Sequence, residues 1–151
     1  MIGFLGTYYV NLDEKGRANI PSKFRRVLDR DLNPNVVVSR THGHLSVFEP
    51  SVWEKFVGQC DDVSPFDRKE SDRLRQFTSK ADTCEIKSGK LLIPSQLRKV
   101  AGLNKEVALV GMSTYFEIWD MNRLEEHERQ VEHDLQVERE RQAEQEREPE
   151  Q

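Results

Sequence analysis

Residues 16–27, Gly-Arg-Ala-Asn-Ile-Pro-Ser-Lys-Phe-Arg-Arg-Val, return 73 positions later as residues 89–100, Gly-Lys-Leu-Leu-Ile-Pro-Ser-Gln-Leu-Arg-Lys-Val. Gly, Ile, Pro, Ser, Arg and Val coincide, and three further positions keep their chemistry. Two more blocks follow in the same order. Asn35-Val36-Val37-Val38 aligns with Glu106-Val107-Ala108-Leu109, and Leu45-Ser46-Val47-Phe48-Glu49 aligns with Phe116-Glu117-Ile118-Trp119-Asp120, both at a spacing of 71. The change in spacing places two extra residues of the first copy near Asp31–Pro34. A chain built from two copies of one unit must fold by a rule that serves both copies. Each unit has about 45 residues, too few to bury a self-sufficient core, so the copies are expected to pack on one another about a pseudo-two-fold axis.

The unit reads as alternating short strands and helices. Thr7–Leu12 alternates and is β-rich, Asp13-Glu14-Lys15-Gly16 is a turn with Gly16 free for positive φ, and Arg17–Ile20 returns as a strand. Pro21 stops the ladder and suits the first turn of a helix over Ser22–Leu28, with Phe24, Val27 and Leu28 on one face. Strands Val36–Ser39 and Leu45–Phe48 flank a loop at Gly43, and Pro50 opens a helix through Val57. The second copy predicts strands Thr83–Ile86 and Leu91–Ile93, a helix Ser95–Val100 ended by Gly102, strands Val107–Val110 and Tyr115–Trp119, and a helix from Asn122. Between the copies Asp61–Pro65 reads as a loop, and Asp67–Ser79 as a charged helix with Leu74 and Phe77 inward. The expected organisation is a first repeat at 5–57, a connector at 58–80, a second repeat at 81–125 and an acidic helical or disordered tail at 126–151.

Charge divides the chain. Residues 123–151 hold eleven acids and five bases, net −6, within a whole-chain charge of −4, so residues 1–122 carry +2. A pI near 5.6 therefore does not exclude a polyanionic partner, provided that the basic surface is local. No run approaches the ~18 apolar residues of a membrane helix. The N-terminus lacks a basic n-region followed by a long apolar stretch, so the expected location is the cytoplasm. Cys60 and Cys84 show no metal-site spacing and are expected as reduced thiols.

The run Val10-Asn11-Leu12-Asp13-x-x-Gly16-Arg17-x-x-Ile20-Pro21, duplicated and followed each time by an Arg-bearing helix, resembles the MraZ family. This is the two-copy group among the AbrB-like swapped-hairpin DNA-binding proteins. Gly6-Thr7-Tyr8, Val107-Ala108-Leu109-Val110-Gly111 and Phe116-Glu117-Ile118-Trp119-Asp120 extend the likeness over about residues 3–125. The resemblance implies an α+β fold of two swapped-hairpin, barrel-type repeats with short helices around them and a helical acidic tail. It also implies a transcription regulator rather than an enzyme. Such proteins repress their own division and cell-wall gene cluster by binding direct repeats in its promoter, assemble as rings, and associate with the nucleoid.

The second copy departs from the pattern. Glu85-Ile86-Lys87-Ser88-Gly89-Lys90 has no Asp, carries Lys90 for Arg, and has a turn one residue shorter. Lysine does not make the planar bidentate contact of arginine, so this copy is not expected to read bases as the first does, although it can hold phosphate.

Physical chemistry points the same way. A two-stranded ribbon fits the major groove, and an arginine on it can pair with guanine O6 and N7. The candidate DNA-binding residues are Lys15, Arg17, Lys23, Arg25, Lys87, Lys90 and Arg98, with Arg26 and Lys99 as further phosphate contacts. Asp13 is expected to orient the turn by accepting backbone or Arg17 hydrogen bonds. Several chains on repeated sites would gain through effective concentration. The alternative is an oligomeric module that binds a protein partner, as antitoxin-like relatives do.

The other constellations carry less. His42-Gly43-His44 lacks a third metal ligand, and no phosphate loop, nucleophile elbow or metalloprotease motif is present, so neither a cofactor nor a small-molecule substrate is expected. Cys84 is expected in the core, and Trp53 and Trp119 at or beside strand ends as core or subunit-contact residues. The tail carries the stripe Leu124, His127 (or Glu128), Val131 and Leu135, and little beyond it is apolar except Val137 and Ala143. Residues 139–151 are almost wholly Glu, Arg and Gln, so the tail is expected as a helix that docks near its start and frays into solvent.

Overall fold

The computed structural model describes residues 2–28, 35–60 and 62–147; the expected insertion near Asp31–Pro34 lies outside them. The first copy runs β1 (Thr7–Asn11), β2 (Arg17–Asn19), α1 (Ser22–Leu28), β3 (Asn35–Thr41), β4 (His44–Phe48) and α2 (Pro50–Gly58). The connector holds α3 (Arg68–Thr78). The second copy runs β5 (Asp82–Lys87), β6 (Lys90–Leu92), α4 (Ser95–Val100), β7 (Glu106–Gly111) and β8 (Phe116–Asp120), followed by α5 (Met121–Arg147).

The copies exchange strands. All eight strands form one antiparallel sheet in the order β1-β7-β8-β4-β3-β5-β6-β2. β1 of the first copy pairs with β7 of the second, and β5 of the second pairs with β3 of the first. β2·β6 and β4·β8 cross the pseudo-two-fold axis. Neither copy can complete its own sheet, which is why a unit of this length persists as a pair.

Sequence adjacency suggested that β1 and β2 form a hairpin. They are instead the two ends of the sheet, joined at the turn by the bond from Asp13 N–H to the Arg17 carbonyl at 3.0 Å. The second copy does form the equivalent ladder, Ile86↔Leu91 and Lys87↔Lys90. The cause is turn length. Val10 opposes Val107 as Cys84 opposes Val36, so Gly16 lies one residue further from its strand than Gly89 does. Ser88 and Gly89, with φ of 53° and 73°, make the tight two-residue turn that closes β5 onto β6. The sheet is thus nearly a barrel, with its seam at the first turn.

Inward residues fill this barrel. Ala18, Val36, Val38, Leu45, Val47, Leu91, Val107, Leu109, Phe116 and Ile118 are all buried. Phe24 of α1 and Phe4 of the N-terminal segment close one end against Phe116, with ring centroids 5.0–5.3 Å apart. Leu28 is buried, and Val27 packs against the core on the expected face. α4 ends in a Schellman arrangement: Gly102 takes φ +61°, Gly102 N–H donates to the Lys99 carbonyl, and Leu103 N–H to the Arg98 carbonyl.

α3 begins as expected, with Asp67 capping it by accepting the Glu70 N–H at 3.1 Å. Trp53 sits within α2, the helix that directly follows β4; it stacks on Phe77 of α3 at 4.7 Å and packs on Phe48 of β4. α5 is one continuous helix over Met121–Arg147, and the expected fraying is not seen within its described length. Its own surface carries paired side chains, Arg129 with Glu126 at 2.9 Å and Gln130 with Asp134 at 2.9 Å.

Candidate nucleic-acid interface

Asp13 organises the first turn. Its Oδ1 accepts the backbone N–H groups of Lys15 (3.0 Å) and Arg17 (2.9 Å), while Oδ2 accepts from Arg17 Nε at 2.7 Å. These contacts, the Arg17 backbone N–H first, hold the Asp13 carboxyl below its usual value. Gly16 takes φ +83° inside this turn and donates its N–H to the Asp13 carbonyl. The orienting role expected of Asp13 is the one that it has. Arg17 Nε is occupied, and its terminal NH2 groups have no partner among the described residues. The guanidinium therefore presents its outer fork in a held orientation.

The strands gather the other cations. Ala18 and Leu91 face each other in the core, so their neighbours Arg17 and Asn19 on β2, and Lys90 and Leu92 on β6, point outward together. Lys87 lies directly opposite Lys90 and shares that face. Arg17, Lys90 and Lys87 thus occupy one outer face of a three-stranded ribbon, with Lys15 exposed at the turn beside it. Asn19 and Leu92 belong to this face too and were not singled out in the sequence. A three-residue strand is too short for its alternation to be read, and only the pairing to β6 reveals it.

Arg25 and Arg98 are placed differently from the lysines. Arg98 of α4 lies over the first turn: a Cβ on Gly16 would stand 2.5 Å from the centre of its guanidinium. Its Nε donates to the Ile93 carbonyl at 3.0 Å. Arg25 of α1 lies over the second turn, with Nη1 3.0 Å from where a Cβ on Gly89 would be. The backbone repeats this reciprocity, since Ile93 N–H donates to the Gly16 carbonyl and Ile20 N–H to the Gly89 carbonyl. Each copy's helix thereby supports the other copy's turn. Lys23, two residues from Arg25 and so on another side of α1, lines a hollow with Ile2, Leu5, Arg26 and Val27 and is not gathered with the turns.

Among the described residues no group of three or more His, Cys, Asp or Glu side chains, His42 and His44 included, is arranged as metal ligands. His44 is buried, its Nε2 lies 2.6 Å from Glu117 Oε2, and its ring stacks on Trp119 at 4.1 Å. Cys84 is buried in β5, and burial, with Asp82 nearby, pushes its thiol up to about 11. Both cysteines are free. No helix is long and apolar enough to cross a membrane among the described residues.

Fold and site together define a class: a duplicated α+β unit whose two copies exchange strands in one nearly closed, barrel-like antiparallel sheet, with basic residues gathered on one ribbon face beside its turns. The chain belongs to the MraZ family. The sequence profile described as "MraZ protein, putative antitoxin-like" matches it twice, at residues 3–76 and 77–146. A protein of Syntrophobacter fumaroxidans named transcriptional regulator MraZ is 36% identical over 125 residues, covering 82% of this chain and 83% of that protein. Proteins with the same name from Lachnoclostridium phytofermentans and Cutibacterium acnes are each 37% identical, over 125 and 128 residues, and each comparison covers 82% of this chain and 86% of the relative. These relatives are named as regulators of transcription, not as enzymes.

Proposed function

We propose that this chain is a transcription regulator that binds double-stranded DNA at direct repeats in the promoter of its own division and cell-wall gene cluster, and represses it. The observation that carries the reading is the Asp13–Arg17 clamp. It fixes an arginine on a narrow ribbon with its terminal NH2 groups outward, the form suited to guanine O6 and N7. Lys15, Lys87 and Lys90 supply charge on or beside the same face, and Arg25 and Arg98 hold the turns within reach of phosphate. One such ribbon is a small reader. A ring of chains, each engaging one repeat, multiplies weak contacts through effective concentration. A protein working this way resides on the nucleoid.

The test is fluorescence anisotropy with DNA from upstream of its own gene, beside a scrambled duplex, at several salt concentrations. The reading expects tight binding that depends on the repeats, falls steeply with salt, and is lost in Arg17→Ala while the oligomer persists. Equal, weak binding to both duplexes would sink it and move the search to a protein partner of an antitoxin-like module.

A further inference from the structure

We infer that the two turns divide the work of DNA binding: Arg17 sets sequence preference, and Lys87 with Lys90 forms a clamp for backbone phosphate that is indifferent to sequence. This rests on the DNA reading above and deepens it.

The argument begins from a charge inversion at matched positions. Strand registers equate Val10 with Cys84, and so Asp13 with Lys87. Arg17 follows Gly16 as Lys90 follows Gly89. The first copy therefore holds an acid–base pair, closed at 2.7 Å, where the second holds two bases directly opposite each other. Like charges facing across a ladder are unfavourable unless something anionic lies between them. Neither lysine has an ion-pair partner among the described residues; Glu85 shares their face two residues from Lys87 on β5, in the row that the register continues to Leu92 and Arg17, and it closes no ion pair with either lysine.

Side-chain chemistry separates the roles. Arg17 is a planar fork held by Asp13, so its direction is fixed, as recognition of a base edge requires. Lys87 and Lys90 have no orienting acid and end in compact, rotatable ammonium groups, which suit phosphate and distinguish no base. Distance agrees. From ideal strand spacings, the Cα of Lys90 lies about 8 Å and that of Lys87 about 12 Å from the Cα of Arg17. A major groove is about 12 Å wide. With Arg17 over the base edges, both lysines fall toward the groove's phosphate wall.

The test uses the full chain, the same two duplexes and a salt series from 50 to 200 mM. Lys87→Gln with Lys90→Gln is expected to weaken binding to both duplexes by the same factor and leave their ratio unchanged. Losing two phosphate contacts lowers the slope of log K against log salt by about 1.8, so wild type loses roughly twelvefold more affinity across that range than the variant does. Arg17→Lys is expected to keep the slope and lose the preference. Both lysines have exposed or half-exposed positions, and circular dichroism with a sizing column confirms that each variant folds and assembles. A changed preference in the lysine variant, or an unchanged salt slope, would overturn the division while leaving DNA binding intact. Binding of neither duplex by wild type would instead remove the DNA reading, and this inference with it.

Discussion

At the scale of single residues, Asp13 has the largest set of consequences. Its carboxylate joins two backbone N–H groups and one guanidinium. Replacing it with Asn keeps an acceptor for the backbone but removes the charge that holds Arg17. Asp13→Asn is therefore expected to bind scrambled DNA at least as well as wild type while its preference for the promoter falls, read as the ratio of the two affinities. The lowered Asp13 pKa gives a second check. The contribution of this carboxylate to the fold is complete above its ordinary value of 3.8 and fades as pH falls through the lowered one. In Arg17→Ala the side-chain contacts vanish while the backbone N–H remains, so carbon-detected NMR should place the Asp13 titration part of the way back toward 3.8. Cys84 runs the other way. Its thiol is raised from 9.0 to about 11, so the neutral form is favoured in the fold and stability is lost as pH rises between those values. Urea midpoints should fall across that window and fall less in Cys84→Ala. At pH 8, iodoacetamide should label Cys60, which is partly exposed, well before Cys84.

At the scale of elements, the two glycine turns are each seated under an arginine from the opposite copy. Gly16→Ala combines a left-handed φ with a Cβ driven into the Arg98 guanidinium, and it is expected to cost at least the ~1–2 kcal/mol of the backbone strain. Gly89→Ala has the same backbone strain, but its Cβ stands 3.0 Å from Arg25 Nη1, whereas that of Gly16→Ala stands 2.5 Å from the guanidinium of an Arg98 tied to Ile93, so its thermal midpoint should fall less. Helices α1 and α4 were legible in the sequence because Pro21 and Pro94 announce their starts and Gly102 stops the second one. Strand positions were legible from alternation, but their partners were not. β1 pairs with β7 on one edge, and its other edge could pair with β2 as β5 pairs with β6; a turn one residue longer leaves that edge joined only at the Asp13–Arg17 bond. The site divides in the same way. Asp13 and Arg17 could be named because their contact is local. The seating of Arg98 on Gly16 depends on residues far apart in the chain, which no spacing rule encodes.

At the scale of the molecule, each copy lacks a strand that the other supplies. Fragments 1–80 and 81–151 are therefore each expected to be largely unfolded alone, and to recover a β-sheet signal in circular dichroism when mixed at equal concentration. A cut in the connector between the copies should be tolerated far better than removal of β1. Folding should be slow for a domain of this size, because β1 cannot pair until β7 has been reached.

The exchange of strands has one more consequence. In a symmetric dimer of identical chains every substitution is made twice, so an acid lost from one turn is lost from both. Writing both halves into one polypeptide removes that constraint. Position 13 can remain Asp while its counterpart becomes Lys87, with the shared core untouched. Mutation can then act on one half at a time, and a fold built on equivalence becomes free to point in a single direction along an asymmetric duplex.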